Sequence, residues 1–299
     1  MHQPGRQYLK DDLNDHTGFL RKARLHQSVF RAEKLELPYD GYGNYLTEEV
    51  GRRGMNFYKG FGIFEAVTKY RKYNKALYSN MLRSEHIPFN FFIPLKSDSD
   101  YAVNVFREIL KKDIASIDCI KIEYAPERKN EYLNDSTSFD AFVTYTNSKG
   151  FKGYIGIEVK YTEQAYKLKK SSKEEGAVND DTTLYYIVTR KSGIYKEDAI
   201  GRLKIDRFRQ IWRNHMLGES MRQHQNNTFK YFTSLTLFPA GNLHFVETSK
   251  EYLTLLKEDH VNFVPFTYED FFMILEKYCP DEKYQDWINY LTERYLVKI

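Results

Sequence analysis

The 299-residue chain has only two cysteines, Cys119 and Cys279, and eight prolines. So few thiols exclude a disulfide-stapled secreted scaffold and fit a reducing, cytoplasmic setting. A chain of this length buries a core without staples, so the two thiols read as small buried hydrophobes. Long apolar runs are missing as well. The most apolar stretch, residues 89–95 (FNFFIPL), falls far short of the roughly 20 residues that cross a bilayer. The opening MHQPGRQYLKDDLNDH has no apolar segment after its first basic residue, so no secretory signal and no membrane association are expected. There is no CxxC, HExxH or close His/Cys cluster to suggest zinc, and no GxSxG elbow or GxxxxGK[ST] loop. No internal repeat or low-complexity tract is present, which excludes solenoids and arrays.

Aromatic residues, by contrast, are abundant: 25 Tyr and 21 Phe bring the aromatic share to 16% and argue against disorder. The formal charge of +4 averages over uneven segments. Residues 52–83 carry eight bases against Glu65, residues 149–173 seven lysines against Glu158 and Glu163, and residues 202–213 five bases against Asp206. Residues 251–294 carry ten acids against four bases. A basic middle and an acidic tail are expected to guide phosphate toward the middle. Residues 52–83 interleave their bases with seven aromatics. That pattern suits either phosphate contact with base stacking or a solvated helical face whose rings point inward.

Residues 1 to about 30 are polar and expected to be partly loose. Ser97 or Ser99 can cap a helix carrying Val103, Phe106, Ile109 and Leu110 at helical spacing. Three strand-like runs follow: 117–124 (IDCIKIEY), 139–146 (FDAFVTYT) and 154–161 (YIGIEVKY), the last two joined by the hairpin-like NSKGFKG. Gly150, Gly153 and Gly156 serve that turn and close strand packing rather than a dinucleotide. A charged surface loop or lid is expected over 167–181, a helix over about 203–217 and a strand over 229–238, stopped by Pro239. Thr248 to Glu251 and Thr267 to Asp270 read as helix-starting caps. The order implies a mixed α/β sandwich around a small sheet.

Strand alternation puts Ile155, Ile157 and Val159 on one face of the third run and Glu158 and Lys160 on the other. Phe139, Ala141, Val143 and Tyr145 form the apolar face of the second run, so Asp140 points away from them. Folded as a hairpin, the two runs bring Asp140 beside Glu158 and Lys160. Two carboxylates suit Mg²⁺, or Mn²⁺, with the Val159 carbonyl as a further ligand. Lys160 would position a water and stabilise developing charge. Glu123, on the polar face of the first run, offers a third carboxylate. Each acid taken alone is equally an exposed strand residue. On the later helix, Phe208, Ile211, Trp212 and His215 form a core stripe, with His215 read as a buried, satisfied side chain.

Asp140 eighteen positions before Glu158-Val-Lys160, in helix, strand, strand, strand, helix, strand order, resembles the PD-(D/E)XK nuclease superfamily of restriction-endonuclease-like enzymes. The segments SFDAFVTY, KGYIGIEVKYTE, RQIWRNHML and TSLTLFPAGN are similar to one bacterial branch of it, as are RSEHIPFNFFIPL and Glu123 in IKIEYAPER. Ser138-Phe139 stands where the motif's Pro would be. The resemblance implies a restriction-endonuclease-like α-β-β-β-α-β core over 97–299, with 1–96 as a basic, aromatic extension packed on it. It implies a Mg²⁺-dependent phosphodiesterase with ligands on Asp140 and Glu158, Lys160 as catalytic lysine, and a polar helix residue, Gln210 first and Arg213 second, organising the site. Nucleic acid, DNA foremost, is the expected partner, contacted through Arg207, Arg213, Lys152, Arg71 and Lys72, and symmetric cutting would favour a homodimer. The competing readings are a non-catalytic nucleic-acid-binding module of the same fold and a hydrolase of RNA or a small phosphoester.

Overall fold

A computed structural model of the chain describes residues 18–165, 167–258 and 261–297. Among these residues five strands form one mixed sheet: β1 (Ser116–Tyr124), β2 (Phe139–Thr146), β3 (Lys152–Val159), β4 (Tyr231–Phe238) and β5 (Phe263–Thr267), adjacent in that order. The first three are antiparallel neighbours, whereas β4 runs parallel to β3 and β5 parallel to β4. A tight turn returns β2 into β3, but parallel strands need a long crossover, which the helices between β3 and β4 provide.

Among the described residues, six α-helices precede the sheet: α1 (Phe19–Val29), α2 (Glu48–Arg52), α3 (Ile63–Tyr70), α4 (Lys75–Ser79), α5 (Ile87–Lys96) and α6 (Ser99–Leu110). Between β3 and β4 lie α7 (Lys173–Asn179), α8 (Leu184–Ser192) and α9 (Asp206–Gln223). Helix α10 (Leu243–Thr254) joins β4 to β5, and α11 (Tyr268–Lys277) and α12 (Glu282–Tyr295) follow β5. The expected helix, three strands, helix, strand order is α6, β1, β2, β3, α9, β4, a restriction-endonuclease-like arrangement. No helix among the described residues is long and apolar enough to cross a membrane.

Alternation divides the core in two. Ile120, Ile122, Ala141, Val143, Ile155, Ile157, Leu235 and Leu237 project into one layer, shared with α5, α6, α11 and α12. Phe142, Tyr154 and Phe232 project into the other, against Tyr185 of α8, Trp212 of α9 and Tyr252 of α10. The FNFFIPL run is the fully buried middle of α5, so its continuous hydrophobicity is that of a central helix.

Several expectations change. Residues 1–17 lie outside the described residues, but from Phe19 onward the chain is helical, and Phe19 and Ala23 join the core. Helix α6 is capped by Asp98, whose side chain accepts from the Tyr101 N–H, not by Ser97 or Ser99. Thr248 and Ser249 are buried in the interior of α10, which starts earlier, on the Asn242 cap. Thr267 does cap α11. The charged segment 167–181 contains the short helix α7, capped by Ser172. Cys119 and Cys279 are unpaired and half-buried rather than buried. Phe139 leaves the face of Ala141 for the opposite layer, because regular pairing of β2 with β3 ends at Ala141 and β1 kinks beside it, Glu123 adopting φ +54°.

Two glycines are required by these contacts. Gly150, at φ +77°, makes the hairpin turn that Asn147 closes by accepting from the Phe151 N–H at 2.9 Å. A Cβ on Gly156 would stand 2.3 Å from the ring of Phe139. Gly156→Ala should therefore push Phe139, the neighbour of Asp140, and cost about 1–3 kcal/mol by overpacking. Chemical denaturation measures this; an unchanged midpoint would mean that the ring moves freely.

Candidate active site

The β2–β3 ladder runs from Thr146/Lys152 to Ala141/Ile157 and then opens. Past that point the Val159 N–H has no strand carbonyl to meet, and it donates instead to Oδ2 of Asp140 at 2.7 Å. Within a strand, a residue's N–H and C=O project to the same edge, so the Val159 carbonyl also faces this opening. The other edge of β3 stays closed. The Lys160 N–H donates to the Leu237 carbonyl at 2.8 Å. The matching return bond would need an N–H from Pro239, which has none, and the Lys160 carbonyl accepts instead from the Tyr268 hydroxyl at 2.6 Å. Asn242 then holds the exit of the strand by donating to the carbonyls of Tyr161 and Glu163, each at 2.9 Å.

On the face toward α9, Glu158 and Lys160 form an ion pair, their side chains only 12% and 8% exposed. Asn214 of α9 donates to the second oxygen of Glu158. Gln210, one helical turn earlier, shares the cleft, and its Oε1 is a buried acceptor without a hydrogen-bond partner among the described residues. The cleft has a volume of about 210 Å³, with Thr137, Ser138 and Arg213 completing its walls around Asp140 and Glu158.

Burial, reinforced by the Glu158 charge, pushes the Asp140 carboxyl well above its ordinary range, against the opposing effects of Lys160 and the Val159 N–H. Burial disfavours the Lys160 ammonium, but the carboxylates of Glu158, Asp140 and Glu163 more than offset it and hold the group above its usual value. Lys160 is therefore a protonated donor at neutral pH.

Three of the expected residues, Asp140, Glu158 and Lys160, thus come together, with Val159 beside them and Gln210 opposite. Glu123 lies across from Asp140 in the β1–β2 register, but its carboxylate is engaged by Arg71. Arg207 points to Glu251 at 2.7 Å. Lys152 begins β3, at the far end of the strand from Glu158, about 20 Å away at strand rise. Lys72 is exposed between α3 and α4. In the basic stretch 52–83, Phe57, Tyr78 and Leu77 are core residues, Arg52 lies over the Tyr73 ring at 3.8 Å and pairs with Glu48, and Lys75 pairs with Asp40. That is the solvated-face arrangement.

Asn214, Asp135 and Tyr185 were not among the expected site residues. Asn214 had a signal, the i+4 spacing from Gln210; Asp135, in an irregular loop, had none. His215 is fully buried, its ring nitrogens bonded to the Tyr252 hydroxyl at 3.0 Å and Asn262 Oδ1 at 2.8 Å.

Among the described residues no group of three or more His, Cys, Asp or Glu side chains is arranged to hold a metal ion. The donors at hand are two carboxylates and a backbone carbonyl. They fit Mg²⁺ or Mn²⁺, which take hard oxygen ligands and fill their remaining positions with water. The elevated Asp140 carboxyl next to Glu158 supports that fit, since a divalent cation would relieve the repulsion between them.

A family model described as the PD-(D/E)XK nuclease superfamily matches residues 14–297. Comparison with curated proteins and with solved structures finds no match.

The elevated Asp140 carboxyl carries a stability prediction. The folded protein binds this proton more tightly than the unfolded chain, so the favourable contribution is complete at acid pH and lost as pH rises through the raised value. Every tenfold difference in proton affinity between the folded and unfolded chain corresponds to about 1.4 kcal/mol. In EDTA, Asp140→Asn should melt above the wild type at pH 8, and the gap should close toward pH 4. A variant that melts lower at pH 8 would contradict the raised Asp140 carboxyl.

Proposed function

The chain belongs to the PD-(D/E)XK nuclease superfamily, and from that premise we propose that it is a Mg²⁺- or Mn²⁺-dependent phosphodiesterase that hydrolyses DNA. The observation that carries the reading is the gathering of Asp140, Glu158 and Lys160 where β2 and β3 part, facing α9.

Asp140, Glu158 and the Val159 carbonyl would hold the ion, which when bound neutralises phosphoryl charge and acidifies a water. Asn214 fixes the plane of the Glu158 carboxylate. Lys160 exchanges its Glu158 contact for a phosphoryl oxygen and stabilises the negative charge that develops there. The unpartnered Oε1 of Gln210 accepts a hydrogen bond from the attacking water and orients it. Exposed lysines Lys167, Lys169 and Lys170 follow the strand exit and attract the backbone without regard to sequence.

Incubation of single- and double-stranded DNA and of RNA with Mg²⁺ or Mn²⁺ tests the proposal. DNA should be cut, EDTA should stop cutting, and Asp140→Ala and Lys160→Ala should each reduce the rate at least about a hundredfold. Activity undiminished in both variants would end the proposal. Salt-sensitive binding without turnover would identify a non-catalytic module instead.

A further inference from the structure

A second and larger cavity adjoins the cleft, and the hydrolytic scheme above leaves it unused. Its volume is about 460 Å³, within the roughly 300–1,000 Å³ typical of small-ligand sites. Leu133, Leu168, Ala177, Val178 and Leu184 give it apolar walls, and Asn134 adds one amide. Its polar end is a fixed cluster. Arg213 Nη2 donates to Asp135 Oδ2 at 2.9 Å and Arg213 Nε to the Tyr185 hydroxyl at 3.1 Å. Asp135 accepts in addition from the Tyr185 hydroxyl and from Thr137 N–H and Oγ1, at 2.9 and 2.7 Å.

Arg213 lines both this cavity and the catalytic cleft, so the two spaces share one wall residue. We propose that the cavity receives one nucleobase of the substrate, turned out of its stack, while the phosphate beside it occupies the cleft. The inference rests on the nuclease reading, which places a phosphodiester on the other side of Arg213. Apolar walls suit the faces of a flat heterocycle, and an amide at the wall suits its hydrogen-bonding edge. Arg213 is a positioning residue at the junction, held by Asp135 and Tyr185 so that base and phosphate are registered against each other. Lys167, Lys169 and Lys170 flank Leu168 at this wall and supply charge for the neighbouring phosphates. A metal-binding cleft alone requires none of this.

The experiment uses duplexes carrying one 2-aminopurine, walked along the strand, bound to the full-length protein in EDTA. An unstacked 2-aminopurine held in the cavity should brighten roughly threefold or more. Ala177→Trp and Leu168→Trp, which fill the cavity from two different segments, should abolish the brightening while melting like the wild type. In Mg²⁺ both should cut intact DNA about tenfold more slowly, yet cut a strand with an abasic tetrahydrofuran residue at that position near the wild-type rate. Wild-type cutting with no brightening at any position would overturn the base site and leave the nuclease reading standing. Brightening lost in both variants, without cutting by the wild type, would uphold the site and remove the nuclease reading. Filled variants that brighten as the wild type does would overturn the proposal.

Discussion

The bond from the Val159 N–H to the Asp140 carboxylate ends a sheet ladder with a side chain. Had β2 continued to pair, a backbone carbonyl would have taken that N–H, and the two strands would have stayed closed over the place where the cleft now lies. Using a carboxylate there satisfies the backbone and leaves an acid at the mouth of the opening. The cost is electrostatic, since burial and the neighbouring Glu158 charge both raise the Asp140 carboxyl, with Lys160 as the compensating charge.

Both walls of the opening are rigid for identifiable reasons. On the strand side, Tyr268 stands in for the partner that Pro239 cannot provide, and Asn242 holds the carbonyls of Tyr161 and Glu163. On the helix side, α9 is anchored through His215 to Tyr252 and Asn262, with Asn262 donating to the buried Glu219 at 2.7 Å. Trp212 adds a bond to Thr189 of α8 at 2.9 Å. Gly218 lets this helix lie against Phe232, whose ring a Cβ would meet at 1.9 Å. Gln210, Arg213 and Asn214 are therefore presented to the cleft by a helix with little freedom to shift, as preorganised chemistry requires.

The central strands and the Asp140, Glu158, Lys160 group were legible because the period-2 pattern survives burial: one face of β3 is wholly apolar and the other carries the charges. Where backbone geometry departs from that period, the reading failed. The positive φ of Glu123 and the parting of β2 from β3 moved Phe139 to the other layer. The Thr248 to Glu251 pattern misled because a capping motif does not reveal whether its hydroxyl is buried inside a longer helix. Charge counts were legible but pairing was not: Arg202 and Arg207 both meet Glu251, a residue of the acidic segment, and Arg71 meets Glu123. Asp135 gains its role only from Tyr185 and Arg213, 50 and 78 positions away.

Everything proposed for the cleft depends on the opening between β2 and β3 being a two-carboxylate divalent-ion site. A crystal soaked in Mn²⁺ and examined by anomalous scattering tests this most directly. A peak is expected between Asp140 and Glu158, with their oxygens and the Val159 carbonyl at the short distances of octahedral coordination, about 2.1 Å for an ion of this kind. An empty cleft at saturating Mn²⁺, or an ion bound elsewhere with Asp140 and Glu158 unchanged, would contradict it.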